Sequence, residues 1–200
     1  MAVLIRHSIS YYKKVTYRET FKVKCPDAEI AFKIIKLIDA LKESKDSVGG
    51  SIGCCIFGIP PGTVGVDSAI AATMFSLHNL KAFEVGTGFK STKLKLSDYA
   101  HKDIKPDEDS KDSDLKIRSV SNAQGGANSG ISSGLPFCFR VGFTASGGVG
   151  QKHEIVSTQG TWQTVKEDSD YEVCDVVRKV ELIEGLAAIS LIPLIRDFLN

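Results

Sequence analysis

The sequence predicts an α+β domain in which helices pack on a largely antiparallel sheet. Helical periodicity is confined to a few segments, and several short runs rich in β-branched and aromatic residues lie between them, bounded by turn residues. Helices and strands do not alternate regularly, so a doubly wound parallel sheet is not expected. The chain has 200 residues, enough for one buried core, and we expect a single domain over residues 1–200.

The first helix is predicted to begin at Pro26-Asp27 and to run to about Ser44. Proline and aspartate are both favoured where helices begin. Four apolar residues recur at helical spacing on one face: Ile30, Ile34, Ile38 and Leu41. We expect this face to pack on a sheet that contains Cys54–Ile59 and Phe137–Phe143.

Further elements follow along the chain. Ser51–Ile59 is predicted as a buried strand, which the turn Pro60-Pro61-Gly62 ends. An apolar helix is expected from about Asp67 to Leu77. The remaining predictions are strands at Ala82–Val85, Ser91–Leu96 and Pro136–Thr144, and a final helix from about Val177 to Leu191, ahead of Pro193.

Residues 101–118 are expected to form a solvated loop. The stretch from His101 to Lys116, HKDIKPDEDSKDSDLK, is almost free of apolar residues, so burial offsets little of the entropy lost on ordering. Its acidic residues lack the spacing of a calcium-binding loop. No metal site is therefore predicted there.

Composition argues against several classes of function. The 25 Lys and Arg residues balance the 24 Asp and Glu residues, so no overall field favours nucleic acid. The apolar tract Leu186–Ile195 is too short to cross a membrane, and Ala2–Ile5 is too short for a signal peptide. We expect a cytoplasmic protein without a nucleic-acid or membrane partner.

The cysteine content also favours a cytoplasmic protein. There are five of them, an odd number with no CxxC pattern: Cys25, Cys54, Cys55, Cys138 and Cys174. We expect reduced and mostly buried thiols. Because successive side chains of a strand alternate, Cys54 and Cys55 should point to opposite faces.

Three glycine-rich stretches are candidates for binding phosphate, since glycine lets backbone N–H groups approach an anion. They are Gly86–Gly88, Gly125–Gly130 and Gly147–Gly150. None has the pattern of a Walker loop or of a dinucleotide-binding turn. On the residues alone, tight turns are the preferred interpretation.

Two passages resemble the chorismate synthase family. The first contains four landmarks in the family's order and at about its spacing: Lys24-Cys25-Pro26-Asp27, Asp46-Ser47-Val48-Gly49-Gly50, Gly58-Ile59-Pro60-Pro61-Gly62, and KAFEVGTGF from Lys81 to Phe89. The second is NAQGGANSGISSG, from Asn122 to Gly134. The resemblance covers most of the chain, whereas the family half that precedes the Cys-Pro-Asp passage has no counterpart in it.

The resemblance implies a fold and an activity. The family eliminates phosphate from 5-enolpyruvylshikimate 3-phosphate to give chorismate, in aromatic amino acid biosynthesis, and requires reduced FMN. Basic residues of the protein bind the substrate's phosphate and carboxylates, while two histidines transfer protons. Family members self-associate, so the resemblance also implies a dimer or tetramer.

Carried onto this chain, the resemblance gives one candidate catalytic residue and nine candidates for contact with the cofactor. Glu172 stands where the family has its catalytic aspartate, because the family's Arg-His-Asp-Pro-Cys signature aligns without a gap on Asp170–Cys174. The positions implied to contact FMN are His78, Asn79, Ser129, Thr144, Ala145, Ser146, Gly147, Gly148 and Asp170.

These positions depart from the chemistry of the family. His78-Asn79 replaces an Asn-Ala or Pro-Ala pair, and Ser129 replaces a glycine. Thr144 begins the stretch that replaces a KPTSS-like loop, so the lysine is lost, and Asp170 places an acid where the family has arginine. His78 has the alternative interpretation of a solvated residue at a helix end, and His7, His101 and His153 are expected at the surface.

Two classes of function follow. In the first, the chain is a divergent chorismate synthase, impaired on its own, whose site is completed across an oligomer interface or by a second polypeptide that carries the histidines. In the second, it is a non-catalytic paralogue that keeps the scaffold as a binding or structural protein. Retained glycines combined with lost charges predict no turnover by this polypeptide alone.

Overall fold

The computed structural model describes residues 2–5, 18–99, 104–106, 117–145, 150–166 and 172–199. Its helices and strands occur in this order: β1 (Ala2–Ile5), α1 (Ala28–Ser44), β2 (Gly50–Ile56), α2 (Val66–Met74), β3 (Leu80–Val85), α3 (Leu96–Tyr99), β4 (Ile104–Pro106), β5 (Ile117–Ser119), β6 (Ala127–Asn128), β7 (Ile131–Ser132), β8 (Phe137–Phe143), β9 (Lys152–Val156), β10 (Trp162–Lys166) and α4 (Lys179–Leu199). Short 3₁₀ helices cover Gly88–Lys93 and Val176–Arg178.

A four-stranded sheet with the strand order β1-β2-β8-β3 is the centre of the fold. Strand β8 pairs antiparallel with β2 on one side and with β3 on the other, whereas β1 runs parallel to β2. The α+β prediction is therefore confirmed, with a parallel strand at one edge. The predicted strands at Ser51–Ile59, Ala82–Val85 and Pro136–Thr144 correspond to β2, β3 and β8.

One face of this sheet carries the core. Residues of β8 alternate between buried and more accessible positions, with Phe137, Phe139, Val141 and Phe143 all buried. Helices α2 and α4 pack on each other and cover this face of the sheet. The helices can pack on the sheet because every second residue of β8 is apolar and faces them. Each of the two helices also has an apolar stripe on the side that faces the sheet.

Helix α1 does not pack as the sequence predicted. It begins after the N-cap Asp27, whose side chain accepts a hydrogen bond from the Ile30 amide, and it ends at Ser44. Only Ala31 of α1 is buried, and Ile30 is 48% exposed. Because α2 and α4 already occupy the apolar face of the sheet, the partly buried residues Ile34 and Ile38 pack instead in a second small cluster.

One other element prediction is wrong, and another is correct except for the place where the element ends. Ser91–Leu96, predicted as a strand, falls in the 3₁₀ helix and in α3, where the Ser91 hydroxyl donates to the Gly88 carbonyl and favours a helical turn. The final helix continues past Leu191 and through Pro193. That proline is exposed, so solvent can reach the carbonyl that loses its helical partner.

The predicted loop at 101–118 also needs correction. Its two ends form the antiparallel strands β4 and β5, with Lys105 opposite Arg118. Residues 107–116 lie outside the described part of the chain. A further hairpin, β9 with β10, was not predicted because its residues are mostly exposed and lack apolar alternation.

The expectation of reduced thiols is wrong for two of the five cysteines. Cys55 on β2 lies directly opposite Cys138 on β8, with their Cα atoms 4.1 Å apart, and the two form a disulfide. Counting cysteines cannot reveal strand register, which brings this pair together. Cys54 and Cys55 do point to opposite faces, since Cys54 belongs to the buried core and Cys55 does not.

Candidate functional site

Several positions implied to contact the cofactor lie together at one end of the strands of the sheet, where β2 and β3 begin and β8 ends. His78 and Asn79 form the turn before β3, and Thr144 and Ala145 directly follow β8. The Gly49-Gly50 turn lies against the same place, because a Cβ on Gly49 would overlap the backbone of Phe143 and Ala145. We call the group His78, Asn79, Thr144, Ala145, Asp175 and Lys179 the strand-end site.

The backbone holds the two halves of the strand-end site together. The Thr144 amide donates to the Asn79 carbonyl at 3.0 Å, and the Thr144 hydroxyl donates to the same oxygen at 3.4 Å. Asn79 has a φ of 63°, a left-handed conformation that asparagine tolerates better than most residues. Its side-chain Nδ2 atom is buried and has no hydrogen-bond partner. An unpaired buried amide is costly, and this donor is unused within the described part of the chain.

Lys179 places a positive charge in the strand-end site, although the sequence argument overlooked it. The Lys179 side chain is only 11% exposed, and its Nζ atom lies 4.4 Å from the centre of the Phe143 ring. The same Nζ donates to the His78 carbonyl at 3.3 Å. A buried cation over an aromatic ring is stabilised by the ring's quadrupole. The signal that could have identified it is Asp175, four residues earlier, at the spacing of a helical ion pair.

Asp175 neutralises that charge. Its Oδ2 atom lies 2.5 Å from Lys179 Nζ, and its side chain is 14% exposed. The other oxygen, Oδ1, is buried without a hydrogen-bond partner. The strand-end site thus holds a closed acid–base pair with one unused amide donor and one unused carboxylate acceptor beside it.

Glu172, the candidate for the family's catalytic aspartate, lies in the neighbouring segment. Its Oε1 atom forms an ion pair with Arg178 Nε at 3.1 Å. The next residue, Val173, accepts a hydrogen bond from the Val48 amide at 2.8 Å, which fixes the segment along the turn before β2. The carboxylate is half-buried and already has a cationic partner.

Ser129 does not join the strand-end site. It lies in the β6–β7 turn, exposed, with a φ of 51°. That turn packs on the first residues of α2, where the Gly65 amide donates to the Gly130 carbonyl at 2.8 Å. His78 and Asn79 follow the other end of α2, a nine-residue helix about 13 Å long. Ser146, Gly147, Gly148 and Asp170 lie outside the described residues.

Two of the glycine-rich stretches form tight turns. Gly86 and Gly125 both have positive φ, and a Cβ on either would overlap the backbone of the other. The Gly86 amide donates to the Cys138 carbonyl at 2.9 Å, and the Gly125 amide donates to the Asn122 carbonyl at 2.8 Å. The amides of Gly86 and Gly125 are therefore already used within the chain and are not free to hold phosphate.

The open face of the sheet carries a shallow groove of about 270 Å³. Arg140 and Glu84 form an ion pair within it, and Phe89 at its edge is 79% exposed. None of the residues of the strand-end site lines this groove. Among the described residues no cluster of three or more His, Cys, Asp or Glu side chains could hold a metal ion. The described helices include none that could span a membrane.

The thiols of Cys54 and Cys174 are not activated for nucleophilic attack. Burial raises the pKa of Cys54 to about 12, and burial also raises the pKa of Cys174, which follows Glu172. A thiol with a raised pKa carries little nucleophilic thiolate at neutral pH. Neither cysteine is therefore a candidate nucleophile.

Comparisons with known proteins agree on one family. The family model described as chorismate synthase matches residues 2–195. Chorismate synthase of Gloeothece citriformis is 33% identical over 174 residues, which are 84% of this chain and 46% of that protein. Chorismate synthase of Synechocystis is 34% identical over 174 residues, with the same coverage of 84% and 46%.

The fold comparison agrees. A solved structure described as "Crystal Structure of Chorismate Synthase" superposes with a TM-score of 0.71, at 22% sequence identity. The match covers 94% of this chain and 49% of that one. The chain therefore spans about half the length of the relatives it matches.

Proposed function

Because this chain belongs to the chorismate synthase family, we propose that it is a chorismate-synthase-like protein that does not, on its own, eliminate phosphate from 5-enolpyruvylshikimate 3-phosphate. The observation that carries the proposal is the pairing of charges at the strand-end site and in the neighbouring segment that contains Glu172. Lys179 is held by Asp175, and Glu172 is held by Arg178. Groups that are already paired are poorly placed to bind a phosphorylated substrate or to move a proton.

The described residues do not fit a tightly bound FMN. A dianionic phosphate needs charge-assisted donors, and the strand-end site supplies one free amide, Asn79 Nδ2, beside a neutralised lysine. The Thr144 hydroxyl already donates to the Asn79 carbonyl. We propose that FMN binds weakly at the strand-end site, through Asn79 and neighbouring backbone groups.

Two of the four histidines, His78 and His153, are among the described residues, and His7 and His101 lie outside them. His78 is exposed, and its carbonyl rather than its ring contacts Lys179. His153 lies on β9, where its ring faces the Gln151 carbonyl at 3.1 Å. No described hydrogen bond joins the ring of either histidine to the Asn79 side chain. The proposal that turnover is impaired follows from this arrangement together with the paired Glu172.

The proposed setting is aromatic amino acid biosynthesis in the cytoplasm, with the protein self-associated as a dimer or larger. Binding of oxidised FMN, followed by flavin fluorescence quenching, tests the flavin part of the proposal. We expect weak, saturable quenching that Asn79→Gly removes, because glycine keeps the left-handed turn and deletes the amide. Ser129→Gly is the matched control, since it changes another positive-φ residue at the far end of α2. Equal loss in both variants, or none in either, contradicts the assignment.

A second candidate is an enzyme completed by another polypeptide. The observation that favours it is the coverage of 46% of the related proteins, which leaves room for a complementary half. Mixing this chain with the unmatched half of a full-length relative, with reduced FMN and substrate, distinguishes the two candidates. Chorismate formed only in the mixture favours the completed enzyme, and none in the mixture favours the non-catalytic paralogue.

A further inference from the structure

The disulfide between Cys55 and Cys138 lies on the open face of the sheet, outside the core. Neither cysteine belongs to the core cluster, and both residues are partly accessible to solvent. The core packs instead through their neighbours Cys54, Phe137 and Phe139. The buried layer of the fold therefore does not depend on the sulfur–sulfur bond.

Backbone pairing holds the two cysteines opposite each other whether or not their sulfurs are bonded. Strands β2 and β8 pair without a shift in register from Gly50 opposite Phe143 to Ile56 opposite Phe137. Cys55 and Cys138 form one of these residue pairs. Because the other pairs keep the register, the bond can open and form again without a rearrangement of the sheet.

The two sulfurs have different surroundings. The Asn122 side-chain Nδ2 lies 3.7 Å from Cys138 Sγ, and it also donates to the Pro136 carbonyl at 2.8 Å. A hydrogen bond to the sulfur favours its thiolate, and a thiol with a lower pKa is the better leaving group. Gly53, the neighbour of Cys55 on the same face of β2, has no side chain to hinder approach to Cys55.

We propose that the Cys55–Cys138 disulfide is a redox-sensitive link, which a thiol reductant opens by attack on Cys55 with Cys138 as the leaving group. This inference rests on the cytoplasmic setting included in the proposed function. In that compartment disulfides are rare, and those that form are usually transient or respond to the redox state. The other three cysteines, Cys25, Cys54 and Cys174, are free thiols in the same structure.

The exchange balances in two steps. A thiolate of the reductant attacks Cys55 Sγ, which forms a mixed disulfide and breaks the bond to Cys138, and the electron pair of that bond leaves on Cys138 as a thiolate. A second thiolate of the reductant then attacks the reductant sulfur of the mixed disulfide and releases Cys55 as a thiolate. Both cysteines take protons from solvent, and two thiols of the reductant are oxidised to a disulfide.

Opening the bond should loosen the place where two glycine turns are attached to β8. The Cys138 amide donates to the Gly125 carbonyl at 3.0 Å, and the Cys138 carbonyl accepts from the Gly86 amide at 2.9 Å. Cys138 thus holds both turns, and the disulfide ties this point to β2. The strand-end site lies at the other end of β8, beyond Phe143, and should not respond.

Equilibration of the unmodified chain in glutathione buffers tests the redox response. Alkylation followed by mass spectrometry measures the fraction of Cys55 bonded to Cys138. We expect the two cysteines to be mostly bonded in oxidised glutathione and mostly reduced in reduced glutathione. A bond that persists in reduced glutathione is a structural disulfide, and cysteines that stay reduced in oxidised glutathione form no link, so either result overturns the proposal. Neither result bears on flavin binding or turnover, which test the proposed function separately.

The direction of attack is tested by the mixed disulfide and by Asn122. Rapid quenching during reduction should find glutathione on Cys55 and not on Cys138. Asn122→Gly keeps the left-handed conformation, with φ of 47° in the native residue, and deletes the donor. We expect it to slow reduction roughly fivefold, the effect of one ordinary hydrogen bond, while Ser129→Gly, at another positive-φ position, leaves the rate unchanged. Glutathione on Cys138, or an equal or faster rate in Asn122→Gly, would overturn Cys138 as the leaving group.

Amide hydrogen exchange of the oxidised and reduced chain tests the structural consequence. We expect the amides of Gly86 and Cys138 to exchange at least about tenfold faster after reduction, while the Thr144 amide, bonded to the Asn79 carbonyl at the other end of β8, is unchanged. Cys55→Ser, which cannot form the bond, should behave as the reduced chain in every buffer. Equal acceleration of all three amides would show a general stabiliser and overturn the proposal, as would no acceleration of any.

Discussion

Replacing Asp175 by asparagine should separate two effects of the Asp175–Lys179 pair in the strand-end site. The pair stabilises the fold, and it also neutralises the lysine that could bind an anion. The Asp175→Asn change removes the negative charge 2.5 Å from Lys179 Nζ and keeps a side chain of the same size. The lysine then keeps its contact with the Phe143 ring at 4.4 Å and its hydrogen bond to the His78 carbonyl. We expect a less stable protein that binds anions better.

The size of both effects follows from burial. Breaking a fully buried ion pair costs about 3–5 kcal/mol. Both side chains retain some exposure, 11% for Lys179 and 14% for Asp175, and asparagine can still accept a hydrogen bond. We therefore expect a loss of roughly 1–3 kcal/mol in the free energy of unfolding, taking the ring contact as worth about 0.5–2 kcal/mol.

Anion affinity should move in the opposite direction. A hydrogen bond to a charged group contributes about 1.5–3 kcal/mol, so a freed lysine should tighten FMN binding by roughly 10- to 100-fold. Urea unfolding and flavin fluorescence measure the two quantities on the same sample. Asp39→Asn is the matched control, because Asp39 and Lys42 form an exposed pair at 3.4 Å. A variant with unchanged FMN affinity would refute Lys179 as the cation of this site.

Three further predictions concern stability and reactivity. Phe137→Ala should destabilise the chain by about 3–5 kcal/mol in urea unfolding, since Phe137 is fully buried. The hydrogen bond from Lys24 lowers the pKa of Glu19 and of Glu181 below the ordinary 4.5. Their contribution to stability should therefore be complete above pH 4.5 and be lost as the pH falls through the lowered pKa. Lys24→Met should reduce this loss in a pH series of unfolding curves, while Arg18 still lowers the pKa of Glu19. Cys54 should resist alkylation in the native protein at pH 8 and react after unfolding, as mass spectrometry of the labelled peptides would show.

Local pattern predicted the elements better than their arrangement. The strand predicted at Pro136–Thr144 and the helix predicted to begin at Pro26-Asp27 depend on neighbouring residues, and both are found, as β8 and as α1 after its N-cap Asp27. The place of α1 depends on competition with α2 and α4 for one face of the sheet, which no local pattern encodes. The apolar stripe on α1 was real, but its partner was not the sheet.

The candidate site was predicted in part for the same reason. The family resemblance named His78, Asn79, Thr144 and Ala145, and these four lie together because β2 and β3 begin where β8 ends. That they contact a flavin stays a prediction. Lys179 was overlooked, since its importance comes from contacts with Phe143 and His78 that are distant in sequence. The Cys55–Cys138 disulfide likewise depends on the register of β2 against β8.

Whether this chain eliminates phosphate by itself is measured as chorismate formation by the unmodified chain, incubated alone under anaerobic conditions with reduced FMN and 5-enolpyruvylshikimate 3-phosphate. A full-length chorismate synthase assayed in parallel establishes that substrate and flavin are competent. Because Lys179 of the strand-end site and the neighbouring Glu172 are both paired within the chain, we expect no chorismate above the enzyme-free control. Sustained turnover that scales with the concentration of this chain would contradict it.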